Sequence, residues 1–292
     1  MIENQSILKE RVKTLLEESL FCINSDDIFL HPAVMGDCVK SLIGTNLENP
    51  YEDLLDWLNS EIKKADKKED LVSSQVPETQ TTSYKQLQEA LVSKDKQLIT
   101  NILRRLNLLT DGTQLMEVLI EMSLHQTGKS FIPIWRTYKI VNFINLEDRL
   151  SCYELMCNFI LQDDFRNDSF KDQKTVSETT SMYISNDYLS IAIYAHILDC
   201  KNHAFIRQDN LSSALNNMIG YISENKSENR IEIHGESTQK DRSSVLDKMR
   251  KNNLKLSKKN ILVLDCIRML IKNTPTINDE IIICMYQNLG DD

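Results

Sequence analysis

Apolar residues recur along this chain at intervals of three and four, the period of a helix that buries one face. The first stripe joins Ile7, Leu8, Val12, Leu15, Leu16 and Leu20. A polar turn, NSDD, follows. Pro32, suited to the first turn of a helix, then opens a second pattern through Val34, Met35, Cys38, Val39, Leu42 and Ile43. Asn49 is placed to cap a third helix starting at Pro50, with Tyr51, Leu54, Leu55, Leu58 and Ile62 on its buried side. Over 63–82 the periodicity vanishes. The chain thus divides into an N-terminal helical segment (1–62) packing on the rest, a flexible linker (63–82) and a main helical domain (83–292).

The main domain opens with a helical hairpin. Leu87, Ala90 and Leu91 line one arm, Asp95 caps the next, and Leu98, Ile99, Ile102, Leu103 and Leu106 line that second arm, which Asp111-Gly112 ends. Leu115, Met116, Leu119, Ile120 and Leu124 mark a helix stopping at Gly128, and Trp135, Tyr138 and Val141 mark its successor. Further helices are expected over 146–160, 187–198, 205–222, 244–252, 258–272 and 278–288. Polar stretches at 162–182 and 223–243 read as mobile loops, with the isolated RIEIHG as a short strand. The expected fold is all-α: about a dozen short amphipathic helices in antiparallel pairs, a helical-repeat-like array or irregular bundle. A helix, tight loop and Phe-Ile step occur in HQTGKSFIPIW and DCKNHAFIRQD, with FLHPAVM as a candidate third copy.

Composition agrees with long helices: 292 residues hold only 7 glycines and 5 prolines, and 41% hydrophobic content is enough for a core. A net charge of −9 repels phosphate backbones, so no nucleic acid partner is expected. The local basic run of Lys248, Arg250, Lys251, Lys255, Lys258 and Lys259 reads as a solvated helix end. Seven scattered cysteines, mostly on apolar faces, suit a reducing, cytoplasmic setting. The mixed charges of MIENQSILKERVKTLLEE do not form a secretion signal, and ILVLDCIRMLI is too short and too charged to span a membrane.

Few candidate chemical motifs survive inspection. SLHQTGKS ends like a phosphate-binding loop, but Ser123 stands where a glycine is required and a helix, not a strand, precedes it. Glu117, Glu121 and His125 share a helix face in metal-binding fashion, opposite the apolar arc and therefore expected to face water. Cys200 and His203 make half a metal site with no second half, so no metal is expected. His196 lies in mid-arc among Leu189, Ala192 and Ile193 and should be buried. His31 and His203 precede helices, whose positive ends keep an imidazole neutral and fit it to cap, bond or act as a base. No nucleophile elbow, dinucleotide fingerprint or His-Glu-x-x-His is present.

Three stretches, LHPAVMGDCVKSLI, LQEALVSKDKQLITNILRRL and LMEVLIEMSLHQTGKSFI, together resemble questin oxidase-like proteins across roughly residues 25–220. In that resemblance His31 takes the place of an early family histidine, and His125 and His203 lie near later ones. Ser93-Lys94-Asp95 departs from the family's Gly-Asp, and Lys129 stands where a histidine is expected. The resemblance implies an oxidoreductase acting on a small organic substrate, in a pocket near His31, His196 and His203, with His125 as a further candidate. It names no cofactor for this chain. The alternative is a non-catalytic helical scaffold that binds another protein in a groove between helix pairs. An enzyme requires converging histidines; a scaffold requires a dry core and an exposed apolar groove.

Overall fold

Several helices begin where a side chain absorbs the unbonded amides of a first turn. Helix α2 (Pro32–Ile43) starts at its proline, with the His31 imidazole accepting from the Ala33 N–H. Ser83 and Gln86 form a reciprocal capping box at α4 (Tyr84–Val92), and Asp95 accepts from the Leu98 N–H at α5 (Lys96–Leu109). The remaining helices are α1 (Ile2–Leu20), α3 (Asp53–Lys64), α6 (Thr113–Leu124), α7 (Phe131–Ile144), α8 (Leu150–Gln162), α9 (Tyr188–Lys201), α10 (Lys258–Asn273) and α11 (Asp279–Gln287). This computed structural model describes residues 2–23, 27–67, 82–110, 112–124, 129–146, 149–163, 182–185, 188–203, 215, 230–233, 245, 255–273, 279–287 and 289.

The fold is all-α. A small ribbon accompanies the helices: β1 (Met182–Ser185) pairs antiparallel with β2 (Arg230–Ile233), Met182 opposite Ile233, which places the RIEI of the expected strand in register. The expected helices at 205–222 and 244–252 lie outside the described residues except for Leu215 and Val245, both buried.

Three local expectations are corrected. Helix α3 starts at Asp53 rather than Pro50, with Glu52 at its N-cap position, and the Asn49 backbone amide donates to the Asn46 side chain in the turn that precedes it. The same helix runs on to Lys64, and Lys67 bridges Cys22, so 63–67 are structured while 68–81 lie outside the described residues. Ile7 and Leu98 are 64% and 44% exposed: Ile7 falls on the far side of α1 from Val12, Leu15 and Leu16, and Leu98 at the margin of the α5 arc.

One hydrophobic cluster runs through α1 to α11. Within it α2, α7, α9 and α10 form the centre: α2 packs on α7 and α10, and α10 packs on α9. From Pro32 to Val39 every residue of α2 is buried, as is every residue of α10 from Asn260 to Ile271. Gly36 permits close approach of α1, because a Cβ there would come within 2.9 Å of Leu16 Cδ2. Among the described residues no helix is long and apolar enough to cross a membrane.

Candidate functional site

The candidate histidines occupy three separate settings. His31, buried before α2, accepts the Ala33 amide at Nδ1 (3.1 Å) and so carries its proton on Nε2, which donates to the Cys22 carbonyl at 3.2 Å. Its ring meets Phe159 edge-on, and burial pulls its pKa down to about 4. His196, fully buried on α9, has the opposite tautomer. Its Nε2 accepts from Arg136 Nε at 2.8 Å, and its Nδ1–H donates to the Ala192 carbonyl at 2.6 Å. Burial, then the positive charge of Arg136 and Lys139, holds it neutral far below the usual histidine range.

His203, half-buried past the end of α9, meets the Trp135 ring edge-on, and Trp135 also stacks on Tyr138. Burial again lowers its pKa. His125 lies outside the described residues. Among the described residues no hydrogen bond joins any two of His31, His196 and His203, and both ring nitrogens of His31 and of His196 are engaged by other partners. Each ring serves a local structural bond or packing contact.

Glu117 also departs from expectation: it is only 5% exposed. Helix α6 is covered by α4, α7 and α8 and buries apolar residues on most of its circumference, which encloses Glu117, while Gln114 and Glu121 on the same side keep access to solvent. Cys200 is buried and its thiol pKa is pushed up by that burial. Among the described residues no group of three or more His, Cys, Asp or Glu side chains is placed to hold a metal.

The four central helices instead converge on a buried ion network. Arg136 of α7 donates through Nη1 to Asp37 of α2 (3.0 Å) and Asp265 of α10 (2.7 Å), and through Nε to His196 of α9. Lys139, one turn on, reaches Asp37 at 3.0 Å and Asp199 of α9 at 3.1 Å. Asp199 also accepts from Trp135 Nε1, Lys272 and Asn273, while Arg268 and Lys40 bond Asp265 and Asp37 from one turn along their own helices. The neighbouring cations hold Asp37 and Asp199 ionised, well below the usual carboxylate range, against the opposing effect of burial. The network sets three carboxylates against five cations.

This cluster was not anticipated from the sequence, yet a signal for it exists. Asp37-Cys38, Asp199-Cys200 and Asp265-Cys266 are three Asp-Cys dipeptides in otherwise apolar helices, and each supplies one acidic corner and one buried thiol. Two of them continue to a cation three residues after the aspartate, Lys40 and Arg268.

A groove opens beside the network. Leu8 and Val12 of α1, Ile43 of α2, Leu47 beyond it and Phe143 near the end of α7 form its apolar wall, around about 320 Å³. Its polar lining is Gln5, Lys9 and Lys40. Leu47 and Phe143 remain 50% and 38% exposed, so the groove is a trench open to solvent. Lys40 joins the two features: its amine bonds Asp37 at 2.5 Å and stands over the Phe143 ring at 5.1 Å. His31, His196 and His203 are not among the residues lining it.

No family model matches the chain, and neither a curated protein nor a solved structure shows significant similarity to it.

Proposed function

We propose that this chain is a non-catalytic helical binding protein that docks a segment of another protein in the groove formed by α1, α2 and α7. The observation that carries the reading is the apolar trench at Leu8, Val12, Ile43, Leu47 and Phe143, in which Leu47 and Phe143 stay partly exposed to solvent. Exposed apolar surface of this kind, rimmed by polar groups, marks interaction sites. An oxidoreductase on a small organic substrate, the activity implied by the questin oxidase-like resemblance, needs an enclosed cavity with reacting groups facing it. His31 and His196 instead hold backbone and guanidinium partners at both ring nitrogens.

A photo-crosslinking residue at position 47, with position 108 as a control on the far side of α5, tests this. The expected outcome is a discrete protein adduct at 47 that unlabelled protein competes away and that position 108 does not give. Equal labelling at both positions, or native mass spectrometry showing a retained organic molecule lost in His196→Gln, would sink the docking reading.

A further inference from the structure

Lys40 has a role in the groove that packing alone does not explain. Its partner, Asp37, is already served by Arg136 and Lys139, both at 3.0 Å, so withdrawal of Lys40 leaves that carboxylate with two buried cations. Lys40 is thus one of the surplus cations of the network, and its amine lies beside the Phe143 ring on the groove wall. Lys9, exposed on α1, adds a second positive charge, and among the described residues no carboxylate lines the trench. On a chain of net charge −9, this is a locally cationic apolar surface.

Resting on the docking reading above, we infer that the groove takes an acidic amphipathic helix. Its apolar side packs on Val12, Ile43, Leu47 and Phe143, and its carboxylates meet Lys9 and Lys40. The half-open shape favours a helix over a small amphiphile. A helix buries one face and leaves the other in water, whereas a small ligand is held when most of its surface is enclosed. On docking, Lys40 exchanges or shares its bond to Asp37 with a carboxylate of the partner. Because both arrangements keep Asp37 compensated, the exchange leaves no buried charge unpaired.

The test uses the full chain and two labelled synthetic helical peptides of about 14 residues, four turns, with the same leucine-rich face but flanked by glutamate in one and lysine in the other. Anisotropy should show the glutamate peptide binding roughly tenfold tighter, weakening with added salt, and losing that advantage in Lys9→Glu and in Lys40→Met. Thermal melts of both variants confirm folding; Lys9 is exposed and outside the network, so its variant keeps the test decisive if Lys40→Met unfolds. Leu47→Asp should abolish binding of both peptides. Equal binding of the two, indifferent to Lys9→Glu, would overturn the acidic partner while leaving the docking groove standing. Binding of neither up to about 1 mM overturns the acidic partner, and with no adduct at position 47 the docking reading falls too. Displacement only by dodecanoate, or self-association lost in Leu47→Asp, would assign the groove to a fatty acid or to a second copy and overturn the inference.

Discussion

At the residue scale, His196 decides how the central helices meet, because its neutral ring gives Arg136 an acceptor that no carboxylate occupies. Replacing it with leucine leaves the guanidinium Nε buried without that acceptor. His196→Leu should therefore lose about 2–3 kcal/mol in urea unfolding, with His196→Gln recovering part through its amide oxygen. The two buried histidines also make a prediction that needs no variant. Long-range proton–nitrogen NMR correlations should show His31 protonated on Nε2 and His196 on Nδ1 at neutral pH, and the same tautomer in both would contradict the hydrogen-bond assignment. Burial of His196 was legible in the sequence because it falls in mid-arc on α9. Arg136 was not, since an arginine in a helix reads by default as surface.

At the element scale, the turn from α5 to α6 rests on Gly112, whose φ is +78° and whose Cα faces Tyr153 of α8. A Cβ there would fall 1.7 Å from the tyrosine oxygen, so Gly112→Ala combines left-handed strain with a steric clash. It should lower stability by about 2 kcal/mol or more, and pairing it with Tyr153→Phe should remove the worst of the clash, leaving the ring carbon at 3.0 Å and the strain. The glycine's place after the α4–α5 hairpin was plain from the pattern; the tyrosine that makes it irreplaceable comes from 41 residues further along the chain and was not. Helix starts were read well where a local signal sits at the helix start, as at Asp95 and Pro32, and poorly at α3, whose N-cap position is Glu52 and carries no side-chain cap bond.

At the scale of the whole molecule, two sets of buried groups give acid sensitivity in two windows. His31 is neutral when folded, with its pKa lowered from 6.5 to about 4, so the unfolded chain binds the extra proton between those values. Its contribution is complete above pH 6.5 and falls as pH drops toward 4, by up to about 3 kcal/mol. Asp37 and Asp199 behave differently: their folded pKa values are depressed, so their contribution persists down to the unfolded carboxylate range and is lost only below it. Urea titrations from pH 7 to 3 should thus show stability declining in two stages. His31→Asn, which keeps a side chain able to cap α2, should shrink the first decline by the His31 share only, because His196 is also held neutral far below 6.5 and loses stability from the same pH downward. By itself the sequence determined the helical class, most helix positions and the apolar face of each, because 3.6-residue periodicity, proline and capping residues act within a few turns of chain. Only the tertiary structure decided that Asp37, Arg136, Asp199 and Asp265 would meet in one network, that His31 and His196 would be spent on separate hydrogen bonds, and that Lys40 would border an apolar trench. Those outcomes depend on which helix faces touch across 60 to 129 residues of chain, and local periodicity says which face is buried but not what it is buried against.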